Sequence, residues 1–254
     1  MNAVKKQFWI PGLSLTCALA GEAAWLLRWR LLMAGVDEKG LLLPGQPLAT
    51  LSWILTGCVI ALTLALLWKH RKTEIVIHGS KASDGVRALA MILAAVLFWD
   101  ETILGKAVAV AAAVTAILSV WSLLGGKKPL AHAMADIPTV LFFILCLLCS
   151  YRTWSAEPEI QRYCYRLLAL VCLMMAAYQR SAVWLGMGKG SLFLGTGILG
   201  VYFAFAAGAD PGFTVLFLTL GVWMFAQLGA VTEKEPTDSD NKEAQSVEIQ
   251  EERE

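Results

Sequence analysis

The sequence predicts an all-α integral membrane protein, a bundle of about eight transmembrane helices with both termini in the cytoplasm. Three observations predict it: a low share of charged residues, long apolar runs separated by short charged segments, and an unequal distribution of lysine and arginine between the two predicted surfaces. Of the 254 residues, 57% are hydrophobic and only 16% are charged, whereas a soluble domain carries about 25% charged residues. This deficit of charge indicates that most of the folded surface faces lipid.

The apolar runs divide the chain into crossings, each of which needs about 20 apolar residues. The stretch from Val86 to Gly125 is apolar on both sides of Trp99-Asp100-Glu101-Thr102, so it predicts two crossings joined by a tight turn. The same pattern recurs along the whole chain. The predicted spans are about 8–27, 48–68, 86–99, 104–124, 136–153, 159–185, 191–208 and 212–231.

The first half of the chain carries clear boundary signals. Arg28-Trp29-Arg30 closes the first span, and Lys69-His70-Arg71-Lys72 closes the second. Between the second and third spans, Thr73–His78 is β-branched and short and predicts a small strand. Ser83-Asp84 then predicts the N-cap of the third helix.

The later spans begin at typical helix starts. Asp136-Ile137-Pro138 starts the fifth span, Glu157-Pro158-Glu159 the sixth and Asp210-Pro211-Gly212 the eighth. Proline and acidic residues are both favourable in the first turn of a helix. Gly186–Gly190 predicts the turn before the seventh span.

An alternative for the N-terminus is a cleaved signal peptide. Lys5-Lys6, the apolar run that follows and Ala18-Leu19-Ala20 resemble the three regions of such a peptide. The apolar run continues through Ala23–Leu27, so no polar segment follows the candidate cleavage site, which favours a retained first helix.

The charges indicate where each end of the bundle lies. With the N-terminus inside, 14 lysine and arginine residues fall on the cytoplasmic side and seven on the other, as the positive-inside rule requires. Eight of the ten tryptophans fall at predicted membrane surfaces, and only Trp25 and Trp223 lie deeper. We therefore expect a multi-pass protein of the plasma (cytoplasmic) membrane.

The C-terminal segment 232–254 differs in composition from the rest. It holds nine acidic and three basic residues, which leaves 18 basic and 11 acidic residues in the body. The segment is polar and lacks apolar periodicity, so it predicts a disordered acidic cytoplasmic tail. The basic excess of the body suits anionic lipid. No nucleic-acid partner is expected, because no basic stripe with interleaved aromatics occurs outside the spans.

Glu22 is the one carboxylate well inside a predicted span, and such residues are functional candidates. Arg166, about two turns into the sixth helix, lies at a similar depth and is its predicted ion-pair partner. Arg162, one turn nearer the surface, is the competing partner, and a protonated Glu22 is the competing state. A purely structural ion pair is an equally good interpretation.

Four further polar residues are predicted at the outer face: Asp100, Glu101, Arg162 and Asp210. Asp100 and Glu101 are candidates for contact with a ligand or cation outside the membrane. For Asp100 and Glu101, turn formation and helix capping are the favoured interpretation.

The sequence predicts no catalytic residue, metal site or cofactor. The six cysteines lie in or beside apolar runs, as small buried hydrophobic residues do. Cys146 and Cys149 have Cys-x-x-Cys spacing, but they lie mid-span, which argues against a redox or metal motif. The three histidines lack ligand spacing, and the His-Glu-x-x-His and Gly-x-Ser-x-Gly motifs are absent.

Two functional classes remain. A non-enzymatic membrane subunit, sensor or scaffold is favoured, because few polar groups lie in the spans. Its expected partners are the bilayer and a protein that binds the 69–85 loop or the tail. The alternative is a secondary transporter or channel for a small solute or ion, which Glu22 favours. A carrier of this kind has a water-filled midplane cavity and discontinuous helices, whereas a scaffold has continuous, well-packed ones.

Overall fold

In a computed structural model, the chain forms an α-helical bundle with one small sheet. The structure describes residues 9–35, 46–69, 75–100, 102–124, 129–154 and 160–233. Within these ranges the helices are α1 Trp9–Ala34, α2 Pro47–Lys69, α3 Lys81–Leu97, α4 Ile103–Leu124, α5 Pro129–Trp154, α6 Ile160–Trp184, α7 Gly190–Ala207 and α8 Thr214–Leu228. The strands are β1 Ile75–Ile77 and β2 Val231–Glu233.

In the described part of the chain, six helices are long and apolar enough to cross a membrane: α1, α2, α4, α5, α6 and α7. The predicted all-α, multi-pass membrane class is therefore confirmed. Helices α3, with 17 residues, and α8, with 15 residues, are shorter. At 1.5 Å per residue they extend roughly 22–26 Å, somewhat less than the hydrocarbon core of a bilayer.

Helices α3 to α8 form a closed ring, because each packs on the next and α8 packs back on α3. Helix α1 packs outside this ring on α7 and α8, and α2 packs on α1 and α7. Within the α7 span 72% of the residues are buried, against 22% in the α2 span. Helix α7 is thus the central element and α2 the peripheral one.

Each of the two opposite ends of the bundle contains a buried ion pair between helices, and we name each end after the arginine of its pair. Arg28 near the end of α1 meets Asp210, which follows α7, and we call this the Arg28 end. Arg87 in the second turn of α3 meets Asp136 in the first half of α5, and we call this the Arg87 end. The sheet lies at the Arg87 end, since β1 precedes α3 and β2 follows α8.

Three helix boundaries differ from the prediction. Helix α1 continues through Arg28-Trp29-Arg30 to Ala34, because Arg28 is buried in an ion pair rather than placed in solvent. Helix α5 begins at Pro129, so Asp136 and Pro138 lie inside the helix and do not start it.

The predicted N-cap of the third helix is also wrong. Ser80 is the N-cap of α3, and its side chain accepts a hydrogen bond from the Ser83 backbone N at 3.4 Å. Asp84 therefore lies within the helix, where its carboxylate bonds to arginine instead of the helix terminus.

The small sheet confirms the predicted strand and adds a partner for it. Strand β1 pairs antiparallel with β2, with Val76 opposite Thr232. Strand β2 thus includes Thr232 and Glu233, the first two residues of the predicted tail. The rest of the predicted tail, 234–254, lies outside the described residues.

Candidate functional site

Four charged side chains meet inside the ring at the Arg87 end. Arg87 donates to Asp84 Oδ1 at 2.9 Å and also to Asp136 Oδ1. Arg180 Nε lies 2.9 Å from Asp136 Oδ2, and Arg180 Nη2 lies 3.8 Å from Asp84 Oδ1. All four residues are buried, with at most 2% of their surface exposed. Two carboxylates and two guanidinium groups cancel in formal charge.

The local sequence explains how these groups converge. Asp84 and Arg87 are three residues apart on α3 and therefore share one helix face. His132 and Asp136 are four residues apart on α5 and share a face for the same reason. Arg180 lies one turn before the end of α6, level with them. Each helix thus contributes its polar groups near the same end of the ring.

His132 extends this cluster. Its Nδ1 lies 2.8 Å from Ser122 Oγ and 3.3 Å from Asp84 Oδ2, and Ser122 Oγ lies 3.1 Å from Asp84 Oδ2. Its ring stacks on Trp184 with centroids 4.9 Å apart. Only 3% of His132 is exposed. We call Asp84, Arg87, Asp136 and Arg180, together with His132 and Ser122, the charge cluster.

The Ser122–His132–Asp84 grouping does not have the geometry of a catalytic triad. In a triad, one ring nitrogen of the histidine faces the serine and the other faces the acid. Here Ser122 and Asp84 both contact Nδ1, so a proton taken from the serine could not be stabilised across the ring. Among the described residues, no group of three or more potential ligands is arranged to hold a metal ion.

A second polar cluster lies at the Arg28 end. Arg28 Nη2 donates to Asp210 Oδ1 at 2.8 Å, and both residues are buried. The Arg28 guanidinium also lies over the ring of Tyr165, 4.3 Å from its centroid. A charge in this position gains from both the carboxylate and the aromatic face.

Hydroxyl groups continue this second cluster toward the bundle interior. Tyr165 Oη lies 2.9 Å from Ser52 Oγ and 2.8 Å from Thr56 Oγ1. Thr56 Oγ1 lies 2.8 Å from Tyr202 Oη. These hydroxyls join α2, α6 and α7, which fixes the peripheral α2 to the ring.

The structure does not bring the predicted pair Glu22 and Arg166 together among the described residues. Glu22 is exposed on α1. The Arg166 guanidinium lies over Phe213, 4.0 Å from the ring centroid, and 5.9 Å from that of Phe217. The pairing stays a prediction, and a double-mutant cycle on the two residues is its test.

The predicted outer-face residues have different surroundings. Asp100 Oδ1 accepts hydrogen bonds from Thr102 N at 2.9 Å and Thr102 Oγ1 at 2.7 Å, which forms a turn just before α4. The side chain that caps α4 is Thr102, whose Oγ1 accepts from Gly105 N at 3.0 Å. Asp210 pairs with Arg28. Glu101 and the side chain of Arg162 lie outside the described residues.

Sequence patterns alone do not identify the charge cluster. They place Arg87 and Arg180 among the cytoplasmic basic residues and Asp136 at a helix start. The sequence does contain a signal for the cluster, because Arg87, Asp136 and Arg180 all fall within predicted spans. Charged residues inside a membrane need partners, so these three residues are candidates for pairing with one another.

The fold and its buried polar clusters define a multi-pass integral membrane protein. No family model, curated protein or solved structure matches the chain.

Proposed function

We propose that the chain is a non-catalytic subunit or scaffold of the plasma membrane, with the Arg87 end and both termini in the cytoplasm. The observation that carries this proposal is that the described helices are continuous, and the two polar clusters are separated by a packed aromatic layer. A carrier would instead need a hydrated midplane site between discontinuous helices.

The aromatic layer fills the interior of the ring. Phe98 on the C-terminal side of α3 contacts Phe142 of α5, with ring centroids 6.5 Å apart. Phe143 of the same helix stacks on Trp223 of α8, with centroids 6.3 Å apart. Phe142, Phe143 and Trp223 have no exposed surface. Because these helices are not neighbours in the ring, the contacts cross its centre and exclude water there.

Outside the two polar clusters, four buried hydroxyl groups in the spans bond within their own helices. Each donates to the carbonyl four residues earlier, at 2.7–2.8 Å: Thr63, Thr115, Ser119 and Thr139. Side chains bonded in this way do not present a polar surface to a solute.

The proposed orientation rests on the unequal number of lysine and arginine residues on the two sides of the membrane. This inequality remains when the buried, paired arginines are left out. Arg87 and Arg180 are compensated by acids at one end, as is Arg28 at the other. Leaving these three out reduces 14 cytoplasmic basic residues to 12 and seven external ones to six. The twofold excess that favours a cytoplasmic Arg87 end is unchanged.

The sheet supports a partner surface at this end. The two segments predicted to bind a protein, the 69–85 loop and the start of the tail, lie side by side because β1 pairs with β2. Val76, at the centre of β1, is 37% exposed. A partner could therefore contact both segments at once.

Photo-crosslinking in native membranes tests this surface. A photoreactive residue at Val76 is expected to give one defined protein adduct. The same residue at Ile117, which is 68% exposed on the mid-part of α4, is the control and is expected to label lipid only. Equal protein adducts at both positions, or none at Val76, would contradict the partner surface.

Reconstitution tests the transporter alternative. In sealed vesicles containing the purified protein, we expect fluxes of protons, Na⁺ and K⁺ equal to those of protein-free vesicles. A flux that appears with the native chain and is lost in Asp136→Asn would favour a carrier and overturn the scaffold proposal.

A further inference from the structure

Glu22 lies at membrane depth on the exposed side of α1, a helix that packs outside the ring. It follows Ile10, where the candidate span of α1 begins, by 12 residues and precedes the buried Arg28 by six. At 1.5 Å per residue these separations are about 18 Å and about 9 Å. A glutamate side chain is too short to bridge either distance, so its carboxyl group faces the hydrocarbon of the bilayer.

The exposed side of α1 extends in both directions from Glu22. Leu15, Leu19, Leu26 and Trp29 are exposed there. They lie three, four or seven residues from Glu22, and residues at these spacings share one face of a helix. We call Glu22 and these four residues the α1 face. A second transmembrane helix packed along the α1 face would contact the carboxyl group and the apolar side chains together.

The carboxyl group of Glu22 lacks a partner in the part of the chain that the structure describes. No hydrogen bond or ion pair joins it to another residue there. The two other acids within the described helices, Asp84 and Asp136, both pair with Arg87. Charged residues inside a membrane ordinarily face protein and pair, because an isolated charge in hydrocarbon is unfavourable. The α1 face is therefore incomplete in the isolated chain.

A second copy of this chain does not supply the complementary cation. A symmetric dimer through the α1 face would bring two Glu22 carboxyl groups to the same depth, where like charges repel. In the described ranges, the exposed basic side chains all lie within four residues of a helix end: Arg30, Lys69, Lys81, Lys106, Arg152 and Lys189. None of them reaches the depth of Glu22 in a neighbouring copy. The cation must come from a different protein.

We propose that the α1 face binds a transmembrane helix of another protein, and that a lysine or arginine near the middle of that helix pairs with Glu22. Such a partner needs an acid for the same reason, because its own cation is unfavourable alone in hydrocarbon. Each chain supplies the charge that the other lacks, and the charge-assisted hydrogen bond between them forms away from water. This inference rests on the proposed role as a membrane subunit and adds the chemistry of the partner. The α1 face lies inside the membrane and is separate from the sheet surface.

Association with a designed peptide tests the pairing. The probe is a leucine-alanine helix of about 20 residues with one central lysine, and energy transfer reports its binding to the dye-labelled full chain in lipid nanodiscs. We expect it to bind roughly 5–30-fold more tightly than the same peptide with a central leucine, as polar contacts between model transmembrane helices do. A peptide with the lysine at its end is the control for depth and is expected to bind like the leucine peptide. Equal binding of all three peptides overturns the proposal.

Variants of the full chain locate the contact. Glu22→Gln is expected to lose the preference for the lysine peptide, and Glu22→Lys to prefer a peptide with a central glutamate instead. Lys106→Gln, which removes an exposed charge near the start of α4, is the control and is expected to keep the native preference. Thermal unfolding without peptide checks that each variant is folded. A preference for lysine that persists in Glu22→Gln, or is lost in Lys106→Gln, contradicts the pairing.

Photo-crosslinking in native membranes separates this surface from the proposed function. A photoreactive residue at Leu26 is expected to give an adduct that is lost in Glu22→Gln and whose partner peptide has a lysine or arginine within an apolar span. An adduct at Val76 without one at Leu26 overturns the α1 face and leaves the subunit proposal intact. An adduct between two copies of this chain, or coupling of Glu22 with Arg166 in the double-mutant cycle, would give the carboxyl group another partner and overturn the inference.

Discussion

At the residue scale, the fold depends on charges that are buried and paired. Arg87 and Arg180 each approach two carboxylates, and all four residues are buried. A buried pair often contributes little net stability, but removing one partner leaves an uncompensated charge and is strongly destabilising. The charge cluster therefore specifies which helix ends meet more than it adds to the free energy of unfolding.

This gives a prediction for Asp136 and Arg180. Asp136→Asn and Arg180→Gln are each expected to lower the free energy of unfolding by about 3–5 kcal/mol, and the double variant by less than the sum. SDS titration of the purified protein in mixed micelles measures the effect.

Lys81→Gln is the control for this cycle, because Lys81 is exposed in the first turn of α3. It is expected to change stability by less than about 0.5 kcal/mol. Strict additivity of the Asp136 and Arg180 effects would show that the two side chains do not interact.

At the element scale, the packing depends on small residues at helix crossings and on the pairing of β1 with β2. Gly21 lets α1 approach α7 so closely that a built Cβ would lie 2.9 Å from both Tyr202 O and Phe205 Cβ. Close approach through small residues is the usual way in which membrane helices associate. Gly12 on the same helix has no atom within 4 Å of a built Cβ.

The two glycines form a matched pair of substitutions. Gly21→Ala is expected to lower the free energy of unfolding by about 1–3 kcal/mol, because backbone atoms of α7 must move away. Gly12→Ala is expected to be neutral or slightly stabilising, since alanine is the better helix former. Thermal unfolding in detergent compares them, and equal effects would mean that α1 does not cross α7 at Gly21.

A second prediction at this scale concerns C-terminal truncations that keep or remove β2. Truncation after Lys234 keeps β2 and is expected to leave thermal stability nearly unchanged. Truncation after Ala230 removes β2, and hydrogen exchange of 75–80 is expected to accelerate because β1 loses its partner. A large loss of stability on the shorter truncation alone would show that segment 235–254 packs against the body.

At the scale of the whole molecule, the alternation of helix ends is compatible with eight crossings, although α3 and α8 are short. Reporter fusions at Lys128 and in the tail are expected to be cytoplasmic, and fusions near Glu38 and Glu157 external. The physical basis is the excess of lysine and arginine at the Arg87 end. An external Lys128 would overturn the proposed orientation.

The sequence by itself determined the class of the protein, since apolar runs of membrane length leave a helix bundle as the form that satisfies backbone hydrogen bonds in lipid. It also located the helices, apart from the end of α1 and the start of α5, and predicted a strand within Thr73–His78, because these follow from local patterns. The sequence did not determine the tertiary pairings: Arg87 with Asp136, Arg28 with Asp210, Asp84 with His132 and β1 with β2 each join residues far apart in the chain. Only the tertiary structure decided these contacts, because a charge inside a membrane must find a partner and the helix packing determines which one is in reach.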